Sequence, residues 1–151
     1  MPVAATFSYR DPESGESLSD LCTLDTMVTV VDSTTFPDDS TQSRPLKELG
    51  LEMGEEDERT LTTLLVEQVE FANLILANKA DKLSETELAK TLATLRALNP
   101  DAEIAATEYC DIPLKKLLNA KRFSMEKAKQ MPGWYKELIG LHVPELSLIH
   151  I

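Results

Sequence analysis

Cysteine is scarce in this chain. Cys22 and Cys110 are the two present among 151 residues, and neither lies in a Cys-x-x-Cys spacing. That excludes a disulfide framework, and both are expected as reduced thiols in an intracellular, cytoplasmic protein. Long apolar runs are also missing. None approaches the roughly 20 residues that cross a bilayer, so no membrane partner is expected. The first thirty residues carry Asp11, Glu13, Glu16, Asp20 and Asp25 and no basic stretch followed by an apolar core, which argues against a signal peptide. Positive charge is sparse in the front half: residues 1–70 hold 4 basic against 16 acidic residues, while residues 71–151 hold 11 against 10. An acidic front half repels a phosphate backbone, so nucleic acid is not expected as a partner. The acidic excess reads first as solubility, with a cation-binding surface as the alternative. What is present is ordinary globular composition, 42% hydrophobic and 27% charged, enough for one domain or part of a larger one.

Read for periodicity, the chain alternates strand-like and helix-like segments. Residues 17–24 predict a short helix with Leu18, Leu21 and Cys22 facing inward. Residues 26–32, rich in β-branched side chains, predict a strand buried on both faces, as in a parallel sheet. Residues 33–54, with Pro37 and Pro45, read as a long, partly helical connection. Residues 56–72 predict a helix with Leu61, Leu64, Leu65, Val69 and Ala72 on one face and acidic residues 55–58 at its positive N-terminus. Residues 73–77 predict a second buried strand. The helix after it opens with Ser84 and Glu87 in capping-box spacing, buries Leu88, Leu92, Leu95 and Leu98, and stops at Asn99-Pro100. Residues 102–107 predict a third strand. Pro113 opens a short helix carrying Leu114, Leu117 and Leu118. A last helix spans about residues 124–139, with Met125, Ala128, Trp134 and Leu138 as core candidates. Strands alternating with helices imply an α/β fold with a parallel sheet of about three strands and flanking helices.

One tetrapeptide carries recognisable chemistry. Asn78-Lys79-Ala80-Asp81 sits after the second strand, where α/β sheets bind ligands. An ionised carboxylate only accepts hydrogen bonds and can take two in parallel. Guanine offers such a pair, its ring N1–H and its exocyclic amino group, whereas adenine has no N1–H. Asp81 is therefore the candidate that reads the base. Asn78 can donate to guanine N7 and tie the loop to neighbouring backbone. Lys79 can lay its methylene stem along the base plane and keep its ammonium in solvent. The plain alternative is a polar strand-to-helix turn.

Other candidates are weaker. Asp32 ends the first strand and could face the ligand edge, but a cap or turn role is favoured. Thr107 lies at the end of the third strand, and the backbone of Ala106-Thr107-Glu108 could approach the base from the other side; the alternative is an ordinary turn. His142 and His150 have no ligand partners at metal spacing, so no metal site is expected. Trp134 and Tyr135 read as core or lid packing. Lys115, Lys116, Lys121, Arg122 and Lys127 read as a solvated face, and no catalytic residue is assigned.

Residues 24–32, 67–72, 73–81 and 98–104 together resemble the CobW-like (CobW/HypB/UreG) GTPases, relatives of the hydrogenase and urease nickel-insertion GTPases. The resemblance covers about residues 1–145, and only Asn-Lys-x-Asp is diagnostic on its own. It implies a P-loop GTPase fold and a metallochaperone role in zinc or cobalt/cobalamin homeostasis, with guanine nucleotide and a client metalloprotein as partners. The family's Gly-rich GxxGxGKT loop, its Cys-x-Cys-Cys metal motif and its Glu-[Ser/Thr]-Thr-Gly segment are all absent from this sequence. The expectation is therefore the second half of a nucleotide-binding domain, binding GTP by its guanine end and inactive alone, with Met1 internal. Mg²⁺ and a transition metal are expected only in a longer parent. The alternative is a short, catalytically inactive α/β protein that binds nucleotide or a partner. Residues 146–151 depart from the family pattern. They read as the translation of a transposase end sequence used in DNA-library preparation, so a non-native tail is expected there.

Overall fold

In a computed structural model of the chain, residues 4, 7, 9–41, 45–50 and 60–130 are described. The chain divides into two compact units, Thr26–Ala120 and a second formed by Met1–Asp25 with Lys121–Ile151.

The unit Thr26–Ala120 holds a three-stranded, all-parallel sheet. Its strands are β1 (Val28–Asp32), β2 (Leu74–Asn78) and β3 (Glu103–Ala106), in the order β1-β2-β3. The register pairs Asp32 with Asn78 and Ala77 with Ala106, so all three strands end at one carboxyl edge. Between β1 and β2 the chain forms two single-turn helices, Phe36–Asp39 and Leu46–Leu49, and then a longer helix, Leu61–Glu70 (here αA). Between β2 and β3 it forms a 3₁₀ turn, Ala80–Lys82, and a helix, Glu85–Leu98 (here αB). αA and αB pack against each other. Their Val69 and Leu95 share one core with Ile75 and Ala77 of β2 and Val31 of β1.

β2 meets its expectation. Leu74, Ile75, Leu76 and Ala77 are all buried, because β2 has a strand on each side. αB has the start and stop read from sequence: Ser84 accepts from the Glu87 N–H while the Glu87 carboxylate accepts from the Ser84 N–H, and the helix ends at the Asn99 cap. Of its expected core face Leu95 is buried, while Leu88, Leu92 and Leu98 are half-buried.

Four expectations need correction. β1 is not buried on both faces. Val31 is buried against αA, but Val28 is 40% and Val30 54% exposed, since β1 stands at the edge of the described sheet. αA starts at Leu61, capped by the Thr60 side chain, and its first turn holds no acidic residue; residues 51–59 lie outside those described. The turn after Pro113 is a 3₁₀ turn, Leu114–Lys116, and Leu114 and Leu118 are 68% and 65% exposed. A single turn has too little apolar stripe to bury.

The fourth correction falls in the unit formed by residues 1–25 and 121–151. The helix Leu18–Leu21 forms, but Leu18, Leu21 and Cys22 are exposed. Its origin is polar: a Ser17–Asp20 capping box, with Asp20 also paired to Arg10 at 2.9 Å. In the same unit the Asp25 carbonyl accepts from the N–H groups of Arg122 and Phe123, and the helix Met125–Gln130 follows with Ala128 buried. Trp134, Tyr135, Leu138, His142, His150 and the tail 146–151 lie outside the described residues.

Candidate functional site

The parallel register brings Asp32, Asn78 and the start of the β3 exit to the same edge. Asn78 ends β2, and its side chain works across the sheet. Its Oδ1 accepts from the Cys110 N–H at 2.8 Å and from the Thr107 hydroxyl at 3.3 Å. With Oδ1 so engaged, the amide nitrogen is the group left to donate to a ligand. Thr107 is 5% exposed, its N–H bonds the Ala77 carbonyl, and its own carbonyl accepts from the Ala80 N–H at 3.1 Å. The loop after β2 is thus stitched to the exit of β3 by main chain and side chain. Tyr109 and Cys110 complete that exit in left-handed conformations, with φ of 51° and 57°.

On the other side the loop is tied to β1. Ser33 donates its N–H to the Asn78 carbonyl at 3.0 Å. Lys79, itself left-handed with φ 61°, reaches the Asp32 carboxylate with Nζ 2.6 Å from Oδ2. The other oxygen of Asp32 accepts from both the N–H and the hydroxyl of Thr34. These contacts, with the Lys79 ammonium foremost and the Thr34 hydroxyl next, hold the Asp32 carboxyl down to about 2, against an ordinary value of 3.8. The carboxylate is therefore ionised throughout the neutral range. In the structure Asp32 closes β1, accepts from Thr34 in the turn that follows, and is also the lysine's partner. The Lys79 side chain remains 54% exposed, and its ammonium is also paired with Asp32.

Asp81 lies in the 3₁₀ turn that follows. Its carboxylate is 2.9 Å from the Lys82 ammonium, and its side chain remains 25% exposed. The Asp81 carboxylate in turn raises the Lys82 ammonium above its ordinary value. The pair joins adjacent residues on a surface turn, where solvent screening leaves such pairs weak. A ligand offering two donors competes with a weak opponent.

A separate cleft of about 230 Å³ runs along β1 to Phe36 and Leu65, reaching Asp32 at its end. It is smaller than the roughly 300–1,000 Å³ of small-molecule sites, and Asn78, Lys79 and Asp81 do not line it. Among the described residues no three His, Cys, Asp or Glu side chains come together to hold a metal ion. Among them, too, no helix is long and apolar enough to cross a membrane.

Two features of the site are not readable from the motif alone. The Asp32–Lys79 pair joins residues 47 apart in sequence, and the Cys110 N–H bond joins residues 32 apart. Only the parallel register makes them neighbours. The one sequence signal was Asp32 closing a strand.

Comparison with known proteins gives the family. Residues 1–106 match the family model described as CobW/HypB/UreG, nucleotide-binding domain. The chain is also 41% identical over 145 residues to a Dictyostelium discoideum protein named zinc-regulated GTPase metalloprotein activator 1. That alignment covers 96% of this chain and 30% of the relative, so the chain spans about a third of that protein's length. No solved structure matches the chain. On the family model, which takes in β1, β2, β3 and the Asn78–Asp81 loop, the chain belongs to the CobW/HypB/UreG family.

Proposed function

We propose that this chain carries the guanine-reading end of a CobW-type nucleotide site, within a cytoplasmic GTPase metallochaperone whose metal is zinc. The observation that carries the reading is the Asn78–Asp81 loop, fixed to the exits of both neighbouring strands and presenting a partly exposed carboxylate. The donor set fits the base end of GTP: an amide nitrogen from Asn78, a lysine stem, and an acceptor-only carboxylate from Asp81. Zinc and a metalloprotein client are carried over from the relative's name. On this reading residues 1–145 are the second half of the nucleotide-binding domain and 146–151 are a non-native tail. Phosphate contacts and Mg²⁺ then belong to a longer parent, because no GxxGxGKT loop occurs in this sequence. Accordingly no step of phosphate chemistry is assigned to residues of this chain.

Titrating the ¹⁵N-labelled chain with GMP and AMP at millimolar concentration tests the reading without requiring a phosphate cradle. GMP is expected to shift the amides of Asn78, Lys79, Asp81, Thr107 and Cys110, while AMP leaves them in place. Equal responses to the two nucleotides, or none, would contradict it.

A further inference from the structure

Lys79 is constrained in both backbone and side chain. A left-handed φ of 61° is uncommon for a residue bearing a Cβ. Its side chain is also long, and a free lysine loses much rotamer freedom when a ligand orders it. Here the chain's own groups supply that ordering. Nζ is held 2.6 Å from Asp32 Oδ2, and Asp32 is fixed from behind by the Thr34 N–H at 3.0 Å and the Thr34 hydroxyl at 2.6 Å. The adjacent Ser33 N–H bonds the Asn78 carbonyl. The exit of β1 therefore grips the exit of β2 at two successive residues. The stem of Lys79 is drawn toward β1, while Ala80 and Asn78 are tied toward β3. Both partners are substantially exposed, 54% for Lys79 and 33% for Asp32, and exposed pairs add little to stability. The contribution of such a pair lies in where it puts the lysine.

We propose that Asp32 is a positioning residue of the nucleotide site, anchoring the Lys79 ammonium so that the lysine stem is preformed as a platform for one face of the base. This rests on the guanine reading of Asn78–Asp81. Asp32 touches no ligand in this role; it acts through Lys79.

Asp32→Asn separates the two jobs of the carboxylate. The amide oxygen still accepts from Thr34, so the turn is retained, but the charge that holds the ammonium is gone. The full chain and its Asp32→Asn, Lys79→Ala, doubly substituted and Asp81→Asn variants are titrated with GMP and XMP. Asp32→Asn is expected to leave the melting temperature unchanged, to mobilise the Lys79 terminal methylene and ammonium groups in NMR relaxation, and to weaken GMP by about five- to tenfold, the tenfold limit being about 1.4 kcal/mol. In the Lys79→Ala background the same substitution is expected to add less than about twofold, because the residue it acts through is gone. Unchanged GMP affinity in Asp32→Asn, alongside loss of the GMP preference in Asp81→Asn, would overturn the positioning role and leave the guanine reading standing. An equal loss with and without Lys79 would overturn it as well. A GMP preference that survives Asp81→Asn would overturn the guanine reading itself, and the positioning role with it.

Discussion

Asn99 concentrates more polar structure than any motif in the sequence suggests. It is 5% exposed, and its amide nitrogen donates to the carbonyls of Val69, Glu70 and Ala72 at 2.7, 3.0 and 3.0 Å. Its Oδ1 accepts from the N–H groups of Asp101 and Ala102. One side chain thus closes the end of αA, the entry to β2 and the entry to β3. Asn99→Ala is expected to cost about 2–4 kcal/mol, since each buried group left unpaired costs about 1–3; urea denaturation measures it. From sequence Asn99 reads only as a helix stop beside Pro100, because its acceptors lie 27–30 residues earlier. Ser33 is the converse case. Its hydroxyl is buried with no hydrogen-bond partner among the described residues. Ser33→Ala is expected to hold stability or raise it by up to about 1 kcal/mol, because burying an unpaired hydroxyl is unfavourable. A clear loss in the same denaturation experiment would show that the hydroxyl is bonded in solution.

At the scale of elements, what could be read early was local. The start of αB is set by Ser84 and Glu87 three residues apart, and its Leu95 is fully buried, as the apolar spacing requires. Ser84→Ala is expected to cost about 1 kcal/mol and to speed amide exchange in the first turn of αB. The cap also responds to pH. The Ser84 hydroxyl first, and its N–H next, hold the Glu87 carboxyl below its ordinary 4.5. The depressed value means that the contribution is complete above pH 4.5 and is lost as pH falls through the folded-state value. Protection of that first turn is therefore expected to drop on acidification below 4.5, and more so in wild type than in Ser84→Ala. β1 shows the limit of local reading. Its β-branched run correctly marks a strand, but whether Val28 and Val30 are covered depends on what lies beside that strand. Leu114 and Leu118 mislead for the same reason, since an apolar residue in a single turn has no face to bury.

At the scale of the molecule, a parallel sheet of about three strands followed from the alternation of strand and helix signals, and the family from residues 24–32, 67–72, 73–81 and 98–104 taken together; the strand order β1-β2-β3 came from the structure. The pairing that shapes the site, Lys79 on Asp32 and Asn78 on Cys110, came from register, which no short window of sequence contains. The chain also lacks a sequence counterpart to a phosphate cradle. Pure chain 1–151 is therefore expected to show no Mg²⁺-dependent GTP turnover above background. Turnover that disappears in Asp81→Asn would refute that expectation.

The most direct measurement is base choice by wild type and Asp81→Asn, using GMP, XMP and AMP in competition on the full chain. The carboxylate is acceptor-only and matches guanine's two donors, whereas asparagine presents one acceptor and one donor. Xanthine keeps the ring N–H and replaces the amino group with a carbonyl, so the asparagine donor gains a partner. With guanine that donor meets another donor and both are unpaired. An unsatisfied pair costs about 1–3 kcal/mol, so the preference is expected to move from GMP toward XMP by roughly ten- to a hundredfold. A GMP-to-XMP ratio that is the same in both proteins would contradict the account, because Asp81 would then not be reading the base.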